Sequence, residues 1–143
     1  MDIQTIVVPD ASIILKWGFD SPDEPDRDKA LEILYSWLDG KIEIILPKLW
    51  AFEVGNILAL RNPTFAEEIM DIFIGYRFAE YETTAKLCGE TFKLIKKYRV
   101  TFYDGVYHAV ALLNKGTLFT ADKAYYSKAL QVGSVSLLKD FSI

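Results

Sequence analysis

The sequence predicts one α/β domain built on a parallel sheet of about five strands with helices on both faces. Short β-rich runs alternate with helical patterns along the whole chain, and that alternation is typical of a parallel sheet. No internal repeat or low-complexity segment interrupts it. The length of 143 residues is that of one domain, whose core needs no disulfide or metal to fold. We therefore expect a single domain over residues 1–143.

The strands are predicted from short runs of β-branched and aromatic residues. These runs cover residues 3–8, 42–46, 77–81, 117–120 and 135–137. The first strand is expected to end at Pro9-Asp10, because proline does not continue a central strand. Pro47 fits the first position of a helix, where a missing N–H does no harm.

The helices are predicted from apolar residues repeated at helical spacing. They cover residues 11–18, 28–38, 47–61, 65–75, 83–98, the segment from Asp104 to Gly116, and 122–130. Between the first two helices lies an acidic loop, residues 20–28, with two prolines and no role that the sequence assigns.

Composition excludes several classes of protein. The hydrophobic fraction of 51% excludes a disordered chain. No apolar run approaches the ~20 residues of a membrane span, and the N-terminus lacks signal-peptide features, so a cytoplasmic protein with no membrane partner is expected. The lone Cys88 excludes an internal disulfide and a cysteine-built zinc site. The net charge of −4 still allows a nucleic-acid partner, because the net negative charge lies in residues 1–28.

One acidic residue lies where acidic residues are rare. Glu53 belongs to a helix that is apolar almost all round and should be buried. An unpaired buried carboxylate is costly, and no basic residue lies three or four positions away. The alternative is an exposed glutamate on a narrow polar stripe with Asn56.

Three aspartates are expected at the carboxyl edge of the sheet, where open α/β folds place their ligands. Asp10 follows the first strand, Asp122 follows the fourth, and Asp104 opens a helix. For each of them the alternative is a plain helix N-cap, a position that aspartate favours.

The four acids together predict a cation site. Two carboxylates 4 Å apart repel by about 4 kcal/mol at an effective dielectric constant of 20, so a cluster needs protons or a cation. Oxygen ligands without a histidine or cysteine cluster favour Mg²⁺ or Mn²⁺ over zinc. Such an ion in an acidic pocket is suited to phosphodiester hydrolysis, because it polarises the phosphoryl oxygen and acidifies a bound water.

Four motifs in order resemble those of the PIN-domain family, and most closely its VapC-type toxin ribonucleases. They are VPDASIILKW at 8–17, LPKLWAFEVGN at 46–56, YDGVYHAVA at 103–111 and LFTAD at 118–122. The resemblance extends over nearly the whole chain and implies a Rossmann-like sandwich with Mg²⁺- or Mn²⁺-dependent endoribonuclease activity.

The resemblance also implies the site and its partners. The acidic residues of the family fall on Asp10, Glu53, Asp104 and Asp122, which would act both as metal ligands and in catalysis. Ser12 and Thr120 match positions where the family often has hydroxyls beside the metal, and Asn56 is expected close to the site. RNA as the substrate, a small antitoxin whose tail blocks the site, and a homodimer are implied as partners.

Other functions remain open at this point. A housekeeping RNA-processing nuclease would carry the same residues, and a PIN-like scaffold that binds RNA or protein without cutting is the non-enzymatic alternative. A phosphoacceptor receiver domain would need a second acid next to Asp10, and a DxD phosphatase would need one at Ser12. The only histidine, His108, is expected to be structural, and Glu53 is the candidate general base.

Overall fold

The computed structural model describes residues 5–143, and their strands form one parallel five-stranded sheet. The strands are β1 (Thr5–Pro9), β2 (Ile42–Pro47), β3 (Ala79–Tyr81), β4 (Thr117–Thr120) and β5 (Val135–Leu137). Their order is β3-β2-β1-β4-β5, so β1 is the central strand. Each neighbouring pair is parallel, with Val7 opposite both Ile44 and Thr117. The predicted α/β class and parallel sheet are confirmed.

Seven helices cover the sheet. They are α1 (Ala11–Gly18), α2 (Arg27–Leu38), α3 (Trp50–Arg61), α4 (Ala66–Gly75), α5 (Ala85–Tyr98), α6 (Phe102–Leu113) and α7 (Lys123–Ala129). By their mutual contacts they form two groups, α1–α4 and α5–α7, and these groups cover the two faces of the sheet. No helix in residues 5–143 is both long enough and apolar enough to cross a membrane.

Helix α6 lies deepest in the molecule. It contacts α5 and the strands β1, β2 and β4, and every residue from 105 to 111 is buried. Gly105 belongs to this stretch, and a Cβ added there would lie 3.4 Å from the Thr91 side chain of α5. A side chain at this position would make ordinary van der Waals contact, so the packing of α5 against α6 does not require a glycine here.

Prolines end two strands. Pro9 is the last residue of β1, so that strand stops where it was predicted to, whereas Pro47 ends β2 rather than opening a helix. In each strand the next residue continues the hydrogen-bond ladder to one neighbouring strand. The amide of Asp10 donates to the carbonyl oxygen of Phe119 at 3.1 Å, and the amide of Lys48 donates to that of Tyr81 at 3.1 Å. The predicted strand residues 3 and 4 lie outside the described residues.

The start of α6 also differs from the prediction. The helix follows α5 after three residues, with no strand between them, and begins at Phe102. Thr101 is its N-cap, and its hydroxyl accepts a hydrogen bond from the amide of Asp104 at 3.1 Å. Asp104 therefore lies inside the first turn rather than opening the helix. The other predicted helix and strand ends lie within a few residues of those observed.

An aromatic cluster joins the helices of the first group to β3. The ring of Phe78, just before β3, lies 5.6 Å from Trp17, 4.5 Å from Trp37 and 6.2 Å from Trp50, measured between ring centroids. The indole N–H of Trp17 donates to the carbonyl oxygen of Ala30 at 2.7 Å. The three tryptophans therefore serve the packing of α1, α2 and α3.

Gly116→Ala is expected to destabilise the fold by about 2 kcal/mol, because overpacking displaces a core. A Cβ at this position, just before β4, would lie 2.8 Å from the backbone oxygen of Ile6 on β1. Urea unfolding measures the loss. Gly89→Ala is the matched control, because nothing lies within 4 Å of a Cβ there and alanine favours its helix. An unchanged free energy of unfolding for Gly116→Ala would contradict the packing described at this strand.

Candidate active site at the carboxyl edge of the sheet

The four predicted acids line one open cavity of about 380 Å³. It lies where β1 and β4 end and where α1, α3, α6 and α7 begin. Its lining residues are Asp10, Ala11, Ser12, Leu15, Lys16, Glu24, Glu53, Ile57, Arg61, Asp104, Ala121 and Asp122. The fold therefore brings together four carboxylates that are up to 112 positions apart in the sequence.

Asp10 is both an N-cap and a lining residue of the cavity. Its carboxylate accepts a hydrogen bond from the amide of Ser12 at 3.0 Å, and a second, short one from the Ser12 hydroxyl. Burial raises the pKa of Asp10 to about 6, the Ser12 and Thr120 hydroxyls lower it, and the charge of Asp104 raises it. Capping and a place in the acidic cluster were expected as alternatives, and the structure combines them.

Glu53 lies in the first turn of α3, the helix that follows β2. Burial raises the pKa of Glu53 to about 7, and the charges of Asp10 and Asp104 raise it further. The phenol of Tyr107 acts in the opposite direction, but neither its hydroxyl nor Glu53 Oε2 makes a hydrogen bond of standard geometry in the described chain. Glu53 therefore brings a buried carboxylate oxygen without a partner to the cavity.

Asp104 and Asp122 form the exposed side of the cluster. Burial raises the pKa of Asp104, the charge of Asp122 raises it further, and Thr101 and Lys128 lower it. Asp122 is the N-cap of α7, and its carboxylate accepts from the amide of Tyr125 at 3.1 Å. As with Asp10, capping fixes the acid in place at the cavity.

Of the three polar residues predicted beside the acids, two hold the backbone of the site. The Ser12 hydroxyl accepts from the amide of Ala121 at 3.1 Å, which ties α1 to the end of β4. The Thr120 hydroxyl accepts from the amide of Asp122 at 3.0 Å. Asn56 is exposed and shares a smaller neighbouring cavity with Glu53 and Tyr103.

The donor set suits a hard divalent cation. It consists of carboxylate oxygens from four groups, three of which have a pKa raised by burial and by neighbouring negative charge. The orphaned Oε2 of Glu53 is a further oxygen that such a cation would satisfy. As placed in residues 5–143, however, no three His, Cys, Asp or Glu side chains already form a metal-binding group. The four carboxylates therefore line one cavity, but no three of them are close enough together to bind one ion.

Three charged residues of the cavity were missed as site residues by sequence reasoning. They are Lys16, Glu24 and Arg61. Lys16 is buried, and its ammonium donates to the carbonyl oxygen of Pro25 at 2.7 Å and to Glu24 at 3.3 Å. A lysine in the otherwise apolar α1 was the available signal. The acidic loop between α1 and α2 is thus one wall of the cavity.

His108 lies outside the cavity, as expected. It is fully buried, with Nδ1 2.8 Å from the Tyr125 hydroxyl and Nε2 2.8 Å from the carbonyl oxygen of Gly133. Burial lowers its pKa. The ring therefore links α6 to α7 and to the turn before β5.

Comparisons with known proteins agree on one family. The family model described as PIN domain matches residues 7–130. No curated protein matches the chain. Among solved structures, a toxin-antitoxin complex from Klebsiella pneumoniae is 14% identical, with a TM-score of 0.69, and the match covers 96% of this chain and 99% of that one.

Two further structures are similar at the same level. VapBC2 from Rickettsia felis, bound to a DNA fragment from its promoter, is 16% identical with a TM-score of 0.68, covering 93% of this chain and 97% of that one. VapC20 from Mycobacterium tuberculosis, a sarcin-ricin loop cleaving toxin, is 14% identical with a TM-score of 0.65, covering 85% and 93%. At these identities the likeness is one of fold.

The raised pKa values predict that metal-free protein loses stability as the pH rises. In the unfolded chain Asp10 and Glu53 have pKa values of 3.8 and 4.5, and in the folded chain about 6 and about 7. The unfolded state releases these protons first, so the free energy of unfolding should fall by several kcal/mol between about pH 4 and pH 7. Urea unfolding in metal-free buffer measures this fall.

Glu53→Gln should remove much of this fall and be more stable than the parent at pH 8, because it carries no charge into the cluster. Glu82→Gln, at an exposed glutamate, is the matched control and should keep the parent's slope. A free energy of unfolding that does not fall in the parent would show that burial and neighbouring charge do not raise the pKa values of these acids.

Proposed function

The chain belongs to the PIN-domain family, and on that basis we propose that it is a Mg²⁺- or Mn²⁺-dependent endoribonuclease that hydrolyses RNA phosphodiesters. The observation that carries the proposal is the shared cavity of Asp10, Glu53, Asp104 and Asp122. Burial and, to a smaller extent, mutual repulsion raise the pKa of three of them, which a structural cluster has no reason to maintain. A cluster that binds a catalytic cation would explain why these acids are kept together, because the cation offsets their repulsion.

The four carboxylates would hold the cation, directly or through water. Bound there, it would supply charge stabilisation at the phosphoryl group and a more acidic water. The Ser12 hydroxyl and amide orient Asp10, and the caps of α6 and α7 orient Asp104 and Asp122. These fixed positions mean that little reorganisation is needed when substrate binds.

Glu53 is the proposed general base. Its pKa of about 7 is close to the operating pH, where proton transfer is efficient. Its Oε2 has no hydrogen-bond partner in the described chain and is free to accept a proton from water. Tyr107, whose pKa is raised well above its usual value by burial, stays protonated next to it.

We further propose that the nuclease is the toxin of a toxin-antitoxin pair. The similar structures from Klebsiella and Rickettsia are such complexes, and they cover nearly the whole of this chain. A housekeeping nuclease is the alternative. A small antitoxin reading frame beside the gene, whose product inhibits the enzyme, would decide for the toxin.

Protein partners are supported by apolar side chains on the surface of α3 and α4. Phe52 is 81% exposed and Leu60 is 76% exposed, well above the exposure of core residues. Others on or next to these helices are Phe65, Ile72 and Ile74. Such a face is typical of an interaction surface, and we propose that an antitoxin and a second copy of the chain cover it between them.

The purified chain is accordingly expected to be a homodimer. Light scattering should give twice the chain mass of 16.3 kDa at micromolar concentration. A mass equal to that of one chain would contradict the dimer but leave the nuclease proposal intact.

Cleavage of RNA tests the activity directly. The parent protein, incubated with structured RNAs in Mg²⁺ or Mn²⁺, should cut them, and EDTA should abolish the cleavage. Asp104→Asn should lower the rate at least 100-fold, about the size of effect typical of losing one electrostatic or proton-transfer group. Asp71→Asn, an exposed acid on α4 outside the cavity, is the matched control and should cut at the parent's rate.

Two outcomes would contradict the proposal. Cleavage that survives both EDTA and Asp104→Asn would place the chemistry elsewhere. RNA binding without cleavage in either metal, across the whole RNA pool, would favour the non-catalytic scaffold.

A further inference from the structure

The cavity has a mouth on the side of the acidic loop, and Arg61 lies at that mouth. Arg61 lines the acidic cavity and also a second one of about 350 Å³, formed with Phe19, Ser21, Asp23, Glu24 and Asn62. The two cavities share Glu24 and Arg61. They therefore form a path that leads away from the four acids along the loop.

Arg61 is held without using its hydrogen-bond donors. Its guanidinium carbon lies 4.3 Å from the centre of the Phe19 ring, in a cation–π contact. Its nearest carboxylate oxygen belongs to Glu24, at 4.0 Å, too long for a hydrogen bond. Within residues 5–143 none of its N–H groups donates a hydrogen bond, and the side chain is 55% exposed. The guanidinium is oriented and still available to a ligand.

The other basic residue of the cavity cannot take this role. Lys16 has a side chain only 7% exposed, and its ammonium is occupied by Glu24 and the carbonyl oxygen of Pro25. Because Lys16 neutralises Glu24, Arg61 is not needed to neutralise it. Arg61 is thus the cation of the cavity lining that can meet an incoming anion.

We propose that Arg61 binds a backbone phosphate of the substrate strand, next to the phosphate that is cleaved. This inference rests on the proposed RNA cleavage. An RNA strand that approaches the four carboxylates is repelled, and a guanidinium at the mouth offsets that repulsion and fixes the register of the strand. Arginine suits this role because its planar fork can donate two hydrogen bonds to one phosphate.

Binding is measured in the Asp104→Asn background, so that no strand is cut. The probe is a fluorescein-labelled single-stranded RNA of about 12 nucleotides, within the span of typical single-strand sites, followed by anisotropy. Arg61→Gln should weaken binding about tenfold and reduce the slope of log affinity against log salt by about one, as expected for one lost phosphate contact. Arg61→Lys should weaken binding less and keep the slope.

Arg77→Gln is the matched control. Arg77 also lines a cavity beside a glutamate, Glu43, but at the opposite end of the sheet. The Arg77→Gln variant should bind the RNA probe as tightly as the parent does. Equal affinity and salt slope for Arg61→Gln and the parent would overturn the proposal, and so would an equal loss in Arg77→Gln, because the effect would then be one of total charge. Thermal midpoints verify that each variant is folded, and Arg61→Lys remains a test if Arg61→Gln does not fold.

A cleavage assay without the Asp104 substitution separates this proposal from the one on which it rests. If the parent cuts RNA and Arg61→Gln cuts it equally well at subsaturating RNA, Arg61 has no role and the nuclease stands. If the parent cuts no RNA but Arg61→Gln still loses binding and one unit of salt slope, the phosphate contact stands and the nuclease fails.

Discussion

Repulsion among carboxylates at one edge of the sheet is the constraint around which this molecule is arranged. Parallel strands bring the ends of β1 and β4 to the same edge, and Asp10 and Asp122 follow them directly. The same acids cap α1 and α7, so they cannot rotate away without losing helix hydrogen bonds. The fold thus holds together charges that would separate in a free chain.

Buried hydrogen bonds fix the position of α6, which carries Asp104, relative to α7, which Asp122 caps. His108 lies one turn after Asp104 on α6, and its ring meets the hydroxyl of Tyr125 on α7, the helix that Asp122 caps. Its other nitrogen meets the carbonyl oxygen of Gly133. With its pKa lowered by burial, the ring adds no positive charge beside the acids. The only histidine therefore supports the site without entering it.

Local sequence signals predicted the sheet and the helices, because alternation and periodicity reflect which residues are buried. They were wrong where a neighbouring strand decides the outcome. Pro47 was expected to open a helix, but it ends β2, because the amide of Lys48 continues the ladder to Tyr81 of β3. The choice between cap and site residue for Asp10 was not a real alternative, since one carboxylate oxygen can cap while the group faces the cavity.

The loop residues were beyond sequence reasoning for the same reason. Glu24 enters the cavity because Lys16, buried on α1, neutralises it and fastens the loop through Pro25. Arg27 adds a second fastening, donating to the carbonyl oxygens of Lys16 and Trp17. An acidic loop beside four acids would otherwise be repelled from them. The buried lysine therefore holds the acidic loop against the cavity. At the mouth of the cavity, the guanidinium of Arg61 lies beside Glu24 of this loop and beside the ring of Phe19, just before the loop.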